Sequence, residues 1–351
     1  MRVAVVGAGV IGLSIAWRCA QRGMTVTVHD PEPTRAAAHV AAGMLAPVTE
    51  LHYGEEALLA LNLESARRWP SFAAELAEAS GVDPGYLRCG TLTVARDLDD
   101  IAAIDALRTY QDELGLEVER LTSRELRRRE PALATGVRGG LFVADDHQVE
   151  SRRLLRALRS GVTRSGGQLV SSAPRSTEEL DADVVVVAAG WCSPDLVPGL
   201  PVRPVKGQIL RVAVTPTAVL PTHVLRGLDV YLAPRHGEVV IGATVEEVGP
   251  DTTVTAGAVA DLLRAAWELV PGIAEAELVE TAAGLRPGTP DNAPIIGAVD
   301  HRVVVATGHY RNGVLLAPVT ADAVAELVDT GSVPHEVVPF GADRFAKEEA
   351  P

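Results

Sequence analysis

A single arginine stands in a segment that offers it no obvious partner. Arg286 lies in TAAGLRPGTPDNAPIIG, residues 281–297, which is rich in glycine, proline and apolar residues. The nearest acidic residue is Asp291, which is not at the spacing of a helical ion pair. A guanidinium forms two parallel charge-assisted hydrogen bonds with a carboxylate and does not lose its proton in proteins. Arg286 therefore pairs either with a distant part of the fold or with a ligand.

The N-terminal residues have the pattern of a dinucleotide-binding turn. Residues 7–12, GAGVIG, form a G-x-G-x-x-G between the apolar run Val3–Val6 and a helical pattern, and Asp30 closes the next strand. Gly7 allows the tight turn, Gly9 lets the backbone approach a pyrophosphate, and Gly12 lets helix and strand pack closely. The helix N-terminus supplies free N–H groups, and the acid accepts ribose hydroxyls. This pattern predicts NAD or FAD and does not by itself decide between them.

Three later segments favour FAD. The small-residue run Ala36–Met44 lets backbone lie close to a flat ligand, although it also fits an ordinary helix start, and a strand ending in Gly190 would approach the same dinucleotide. In GHYRNGVLLAP, Gly308 ends a strand and Gly313 is predicted to open a helix. A helix N-terminus carries roughly half a positive charge. Aimed at the N1/C2=O edge of a flavin, it would stabilise the anionic reduced ring, whereas a nicotinamide has no equivalent need.

These residues must be positioned by two kinds of element. The segments 1–30, 150–195 and 300–330 alternate strand and helix, and they predict one layered α/β domain. From about Arg203 short strands with turns predict an antiparallel region inserted as a second domain, with a turn at Pro234–Gly237. The predicted helices are Ile11–Gln21, Leu58–Ser80, Asp97–Gly115, Ser123–Glu130, Ser151–Arg164 and Val259–Leu269.

Composition indicates a soluble globular protein without a nucleic-acid partner. Of the 351 residues, 47% are hydrophobic and 22% charged, and the formal net charge is −14, which disfavours an extended anionic partner. Cys19, Cys89 and Cys192 are scattered and have no metal-ligand spacing, so we expect a reduced setting and no metal site. The N-terminal apolar run is too short to span a bilayer, and no cleavage site follows. We therefore expect a cytoplasmic protein.

Together the motifs resemble the D-amino-acid oxidase family of FAD flavoproteins, in its glycine oxidase (ThiO) branch. The resemblance runs nearly end to end, through VAVVGAGVIG, AAGMLAP, VRPVKGQ, VYLAPR, IGAT, GLRPGTPDNAPIIG and GHYRNGVLLAP, and the last two stretches are the most specific. It implies a fold of the α/β class, with an FAD-binding Rossmann-like (glutathione-reductase-type) domain and an inserted α+β substrate domain built on an antiparallel sheet. The implied segments are 1–85, 140–202 and 285–340 for the FAD domain, 86–139 and 203–284 for the substrate domain, and 341–351 for a tail.

The resemblance also implies roles for individual residues. The arginine of GLRPG binds the substrate carboxylate in the family, so Arg286 takes that role here, with Tyr231 closing over the same carboxylate and Arg311 at the mouth of the site. The contact at Arg175 is a backbone contact to adenine, by loose alignment only. Together with the glycine motif, the expected FAD contacts are Gly7, Gly9, Val10, Ile11, Gly12, Asp30, Pro31, Ala37, Ala38, Ala42, Gly43, Met44, Arg175, Gly190, His309, Tyr310, Arg311, Asn312, Gly313, Val314 and Leu315.

Several positions depart from the family pattern. Asp30 replaces the usual glutamate, and Ala37–Ala38 replaces a Thr/Ser pair, which removes two hydroxyl donors. Val245 stands where well-known relatives have methionine, and Asp229 where a histidine can occur. The last two positions line or border the expected substrate pocket, so substrate preference is the property that they affect most.

The implied reaction is oxidative deamination of glycine or a small D-amino acid to the imine and then the 2-oxo acid, with ammonia and hydrogen peroxide as products. The glycine branch commonly supplies thiazole formation in thiamine biosynthesis. A substrate bound as the free amine needs no side-chain general base, and His309 fits a packing or capping role better than a catalytic one. The implied partners are the amino acid and O2, with no membrane or nucleic acid, in a homo-oligomer that is often a tetramer among relatives.

Three alternatives remain at this point. A sarcosine or other N-methyl-amino-acid oxidase commonly tethers its flavin to a cysteine within the region of residues 281–297, which has none here, so FAD is expected to be non-covalent. A quinone-linked D-amino-acid dehydrogenase would need a basic membrane surface, for which only the helix Arg152–Arg164 is available. A non-catalytic flavin-binding subunit would have no use for Arg286 together with Tyr231.

Overall fold

Residues 1–215 and 219–345 are described by a computed structural model, and they form two large β-sheets with helices packed around them. The strands of these residues are β1 (Arg2–Val6), β2 (Thr25–His29), β3 (Met44–Leu45), β4 (Tyr86–Leu87), β5 (Thr91–Ala95), β6 (Glu119–Thr122), β7 (Gly139–Val143), β8 (His147–Val149), β9 (Gln168–Val170), β10 (Val184–Val187), β11 (Arg203–Ala213), β12 (Val224–Arg226), β13 (Tyr231–Arg235), β14 (Glu238–Gly242), β15 (Glu277–Gly288), β16 (Ile295–Ala298) and β17 (Val303–Thr307).

The helices confirm the periodic segments of the sequence. Each of the six helices predicted from the hydrophobic pattern is present, with ends within a few residues of the expected ones. The helices of the described chain are α1 (Val10–Gln21), α2 (Ala37–Val40), α3 (Glu56–Ser80), α4 (Leu98–Glu113), α5 (Ser123–Arg129), α6 (Ser151–Arg164), α7 (Ser193–Leu196), α8 (Ala256–Leu269) and α9 (Ala317–Thr330). None of them is long and apolar enough to cross a membrane.

The first sheet has six strands in the order β16-β17-β10-β1-β2-β9, all parallel except the β16–β17 pair. Its inner strands are valine-rich because both faces are buried, with α1 and α9 packing on one of them. The parallel strands β1, β2, β10 and β17 end at the same edge. Gly7, Asp30, Gly190 and Gly308 follow these four strand ends, so the sheet brings four separate predicted segments together.

The second sheet has eight strands in the order β15-β11-β14-β13-β12-β5-β7-β6. It is antiparallel, as predicted, except for the parallel β12–β5 pair. The Gly/Pro-rich stretch around Arg286 belongs to β15, which pairs with β11 along its length and places Val205 opposite Arg286. Pairing with a neighbouring strand therefore outweighs the weak strand propensity of these residues.

Two predicted boundaries are wrong. Gly313 does not open a helix: residues 310–312 form a 3-10 turn, and α9 begins only at Ala317. Tyr310 has a positive φ of 44°, which interrupts helical geometry, whereas Pro318 suits the first turn of the later helix. The expected turn at Pro234–Gly237 is also shorter, because β13 continues to Arg235 before β14 begins at Glu238.

The predicted division into FAD and substrate domains stays a prediction. Two of its boundaries fall inside strands, since residue 140 lies within β7 and residue 285 within β15. Both of these strands belong to the eight-stranded sheet. Of the expected C-terminal tail, residues 346–351 lie outside the described residues.

Candidate functional site

The glycine turn after β1 uses its three glycines for different reasons. Gly7 has φ +110°, and a Cβ there would lie 2.3 Å from the Ala188 carbonyl oxygen. A Cβ on Gly12 would lie 1.9 Å from the Gly7 carbonyl oxygen. Gly9 has an ordinary φ of −74°, and its Cβ would meet only Ala36 Cβ, at 3.8 Å. The fold therefore requires the first and third glycines, whereas the second leaves open a space that a bound group can fill.

Asp30 is held beside this turn. Its two carboxylate oxygens accept hydrogen bonds from the backbone N–H groups of Ala8, at 2.6 Å, and Glu32, at 2.8 Å. Each oxygen keeps a further lone pair. The shorter acid is thus positioned at the strand end and can still accept a hydrogen bond from a ribose hydroxyl.

A cavity of about 570 Å³ follows the edge where the parallel strands end. Its walls come from the glycine turn, from α2 and from the segments after β2, β9, β10 and β17, so it has the position in which α/β folds bind dinucleotides. The predicted cofactor residues that line it are Gly7, Gly9, Val10, Ile11, Asp30, Pro31, Ala37, Ala38, Arg175, Gly190, His309, Tyr310 and Gly313.

A second cavity of about 310 Å³ lies against the eight-stranded sheet. A small space of about 80 Å³ borders both cavities, with Val10 and Gly313 on one side and Tyr231 and Arg286 on the other. The predicted residues that line the second cavity are Ala42, Gly43, Met44, Tyr231, Arg286, Tyr310, Arg311 and Val314. The predicted cofactor and substrate residues therefore surround adjoining spaces.

Three predicted cofactor residues do not line these cavities. Gly12 packs against the glycine turn, Asn312 is 2% exposed, and Leu315 is 1% exposed. The Leu315 carbonyl accepts hydrogen bonds from Ser65 Oγ, at 2.6 Å, and from Trp69 Nε1, at 2.9 Å. These three residues pack beneath the segments that line the cavities. Their direct contact with the cofactor stays a prediction.

Arg286 is held by backbone carbonyls. Its Nη1 donates to the carbonyl oxygens of Lys206, at 3.4 Å, and Thr244, at 3.2 Å. Within residues 1–215 and 219–345 it forms no ion pair with an acidic side chain, and Asp291 pairs instead with Arg344, at 3.1 Å. Carbonyl dipoles orient the guanidinium without neutralising it. Arg286 therefore brings an uncompensated positive charge to the second cavity.

Tyr231 reaches the same cavity from β13. Its side chain lies over Gly242, where a Cβ would come within 2.4 Å of the phenol oxygen. Burial raises the pKa of the Tyr231 phenol, and the positive charge of Arg286 counteracts only part of this effect. The hydroxyl is therefore protonated at neutral pH and available as a hydrogen-bond donor.

Two ion pairs at the second cavity were not expected from the sequence. Arg226 Nη1 lies 2.5 Å from Glu50 Oε1, and Arg311 Nη2 lies 2.6 Å from Glu55 Oε2. Both glutamates belong to the loop between β3 and α3, which we call the acidic loop (residues 46–55). The sequence contains the acids in TELHYGEE, but no local spacing connects either of them with its arginine.

His309 lines the larger cavity and is also anchored to α9. It is 2% exposed, and its Nε2 lies 3.1 Å from Thr320 Oγ1 in α9. Burial lowers the pKa of His309 to about 3. The imidazole is therefore neutral at physiological pH and links the turn after β17 to α9.

The profile of the family described as FAD dependent oxidoreductase (DAO) matches residues 2–327. The chain belongs to this family. Membership confirms the predicted FAD-dependent oxidoreductase fold, and the open space at Gly9 and the adjoining cavities fit such a cofactor. Which residues contact FAD stays a prediction. In the described part of the chain, no cluster of three or more histidine, cysteine or acidic side chains is arranged to hold a metal ion.

Relatives within the FAD dependent oxidoreductase family cover nearly the whole chain. The bifunctional protein ThiO/ThiG of Trichormus variabilis is 34% identical over an alignment of 368 positions, gaps included, that covers 99% of this chain and 55% of that protein. The glycine oxidase of Geobacillus kaustophilus is 33% identical over an alignment of 365 positions that covers 97% of this chain and 96% of that protein. The crystal structure of glycine oxidase from Geobacillus kaustophilus matches with a TM-score of 0.90 at 32% identity, covering 98% of this chain and 99% of that one. This chain spans about half the length of its bifunctional relatives.

Proposed function

We propose that this protein is an amino acid oxidase that deaminates glycine or another small amino acid with FAD. The observation that carries the proposal is the uncompensated guanidinium of Arg286 beside the cavity of a flavoprotein fold. A carboxylate is the ligand that such a guanidinium binds best. The glycine oxidases with which the chain shares about a third of its residues support the choice of substrate class.

The protein contributes binding and orientation to this reaction. Arg286 binds the substrate carboxylate and the Tyr231 hydroxyl donates to it, beside the small space that borders both cavities. Bound FAD would supply the two-electron oxidation of the substrate amine, and O2 would take up the two electrons and two protons as hydrogen peroxide. The resulting imine hydrolyses to the 2-oxo acid and ammonia.

Replacing Arg286 tests the proposal. We expect Arg286→Ala to raise the KM for glycine at least about thirtyfold, because losing a partner of a buried charge-assisted pair costs about 2–5 kcal/mol. Arg286→Lys should retain part of the affinity, since it keeps the charge but not the planar fork. The measurements are peroxide release and anaerobic bleaching of the flavin by glycine, sarcosine and small D-amino acids.

Arg344→Ala is the matched control, because Arg344 is paired with Asp291 on the neighbouring segment and lies outside both cavities. It should leave the KM for glycine unchanged. An Arg286→Ala variant with the parental KM would contradict the proposed substrate site. A yellow protein that is not bleached by any amino acid of the panel would contradict the activity.

We further infer that the reaction serves thiazole formation in thiamine biosynthesis, in a homo-oligomer with non-covalent FAD. The likeness to ThiO/ThiG proteins supports the pathway. Restored growth of a thiazole auxotroph that lacks its own oxidase would test it. Light scattering on the purified protein measures the oligomeric state.

A further inference from the structure

The second cavity offers more than an amino acid without a side chain needs. Its volume is about 310 Å³, and its walls include three arginines: Arg286, Arg226 and Arg311. Two of them are neutralised by the acidic loop, Arg226 by Glu50 and Arg311 by Glu55. Of the three arginines in this wall, only Arg286 has no acidic partner within the described chain.

The Arg226–Glu50 pair forms part of this wall. Arg226 ends β12, and its Nη1 contacts Glu50 at 2.5 Å and Met44 Sδ at 3.9 Å. The two side chains are only 21% and 11% exposed, so their mutual attraction is weakly screened by water. Glu50 and Arg226 line the same cavity as Tyr231 and Arg286. The pair therefore borders the space beside the proposed carboxylate site.

We propose that Glu50 is a specificity-determining residue that restricts the site to amino acids with one carboxylate. This inference rests on the proposed function, in which Arg286 binds the α-carboxylate. A second carboxylate on the substrate would need Arg226 as its partner. Glu50 already forms an ion pair with Arg226, and its negative charge repels a second carboxylate. The site thereby disfavours dicarboxylic amino acids. A neutral polar side chain meets no such repulsion.

The test compares amino acids that differ by one charge at nearly constant shape. For the wild type we expect D-asparagine and D-glutamine to be better substrates than D-aspartate and D-glutamate. Glu50→Gln keeps the size of the side chain and can still accept a hydrogen bond from Arg226. It removes the negative charge, so the positive charge of Arg226 is no longer neutralised. We expect this variant to raise the acid-to-amide ratio of kcat/KM at least about tenfold, as the gain of one charge-assisted hydrogen bond predicts.

Two further variants separate this effect from a general change of charge. Glu336 pairs with Arg68 at 2.6 Å, and the two side chains are nearly as buried as those of the Arg226–Glu50 pair, but they lie outside the cavities. Glu336→Gln should therefore leave the acid-to-amide ratio within about twofold of the wild type. The double variant Glu50→Gln/Arg226→Gln should lose the gain, because the released arginine is gone.

Binding provides a readout without turnover. Succinate and its monoamide succinamate perturb a flavin spectrum only when they bind beside it, and we expect Glu50→Gln to tighten succinate at least about tenfold relative to succinamate. The inference is overturned if this variant leaves both ratios unchanged, or if Glu336→Gln shifts them equally. If the wild type oxidises glycine while the ratios do not move, only this inference fails. If it oxidises no amino acid, the proposed function fails as well.

Discussion

Arg286 and Tyr231 meet in one cavity although three strand-to-strand steps separate their strands in the eight-stranded sheet. The two strands between them, β11 and β14, have glycines where these side chains cross. The Arg286 guanidinium lies over Gly207, and the Tyr231 phenol lies over Gly242. Large side chains can lie flat along the sheet only because the residues beneath them have no Cβ. The two glycines are thus as necessary to the predicted carboxylate site as the residues that form it.

This arrangement predicts that Gly207→Ala impairs substrate binding without removing a charge. The new Cβ would lie 2.4 Å from Arg286 Nη1, so the guanidinium, the far end of a flexible side chain, must move while the backbone stays in place. We expect a KM for glycine raised about tenfold or more and a melting temperature close to that of the wild type. Steady-state kinetics and thermal denaturation measure the two effects.

Gly257→Ala in α8 is the control, since its Cβ would have no neighbour within 4 Å. It should leave the KM unchanged and should not lower the melting temperature, since alanine favours a helix more than glycine does. An unaltered KM in Gly207→Ala would show that the position of the guanidinium over this glycine is unimportant for binding.

At the level of residues, the sequence identified the cation of the site but not its surroundings. Arg286 is recognisable because it lacks a local partner, which is a property of the sequence itself. Glu50 and Glu55 pair with arginines that follow them by 176 and 256 residues, and only the folded chain creates such pairs. No periodicity or local spacing contains that information.

Among the elements, the acidic loop is fixed by a buried carboxylate. Asp146 is fully buried and accepts hydrogen bonds from the Val48 N–H, at 3.2 Å, and from the Thr49 N–H and hydroxyl, at 2.6 and 2.7 Å. Burial raises the pKa of Asp146 to about 6, despite these donors. Asp146 lies between β7 and β8, so its hydrogen bonds attach the acidic loop, which bears Glu50 and Glu55, to that segment.

This carboxylate predicts a pH dependence of stability. Because the folded pKa of about 6 exceeds the usual value of 3.8, the folded protein binds the proton more tightly than the unfolded chain. Its contribution to stability is complete below about pH 4 and is lost as the pH rises through 6, a change of about 3 kcal/mol. Urea unfolding across pH 4–7 should show this decline in the wild type relative to Asp146→Asn, whose amide does not titrate.

The neighbouring Asp145 is exposed, so Asp145→Asn should follow the wild-type curve. Parallel curves for the wild type and Asp146→Asn would show that Asp146 titrates in the same way in the folded and unfolded states.

In the glycine turn, one Gly→Ala substitution should weaken FAD binding and another should lower the stability of the apoprotein. Gly9→Ala adds a Cβ to open space, so the apoprotein should melt near the wild-type temperature while its Kd for FAD rises at least about tenfold. Gly12→Ala places a Cβ 1.9 Å from the Gly7 carbonyl oxygen, a backbone atom, and should destabilise the apoprotein itself. Flavin titration and calorimetry of the two apoproteins distinguish them. Equal melting temperatures would contradict the packing role of Gly12.

Success in predicting the helices followed their length, whereas β15, with 12 residues the longest strand of the described chain, was not predicted. Long amphipathic helices such as α3 and α6 were predicted almost to the residue, because their period is visible in the sequence. The short strands β3, β4 and β8 were missed, since two or three residues carry no period and their pairing depends on distant segments. The helix α9 begins late because Tyr310 has a positive φ, a backbone conformation that a tyrosine in the sequence does not indicate.

On the scale of the whole molecule, the cavity of about 570 Å³, in which we propose that FAD binds, is built from segments far apart in the chain. Its lining extends from Val6 in the first strand to Gly313 near the last helix. A ligand that bridges these segments binds the folded chain and not the unfolded one, so it stabilises by mass action. At a free FAD concentration one hundred times Kd, the gain is about 2.7 kcal/mol, or roughly 4 °C in melting temperature.

Acid precipitation should release all the FAD into the supernatant, because residues 281–297 contain no cysteine to which a flavin could be linked. Apoprotein prepared without precipitation should regain its melting temperature as FAD is added. Yellow colour that stays with the precipitated protein would show a covalent link, and a melting temperature independent of FAD would contradict the bridging role of the cofactor.

The strand β15 also contains a β-bulge, which affects where insertions and deletions can be tolerated in the sequence. Its register with β11 shifts where Arg211 faces Glu280 and Val212 faces Leu278, so Val279 is an extra residue. Length added or lost near this bulge can be absorbed at the exposed outer end of the strand. The inner end, where Val205 faces Arg286, then keeps its alignment. We therefore expect related chains to differ in length at the rim of the sheet while Arg286, the proposed carboxylate anchor, keeps its position.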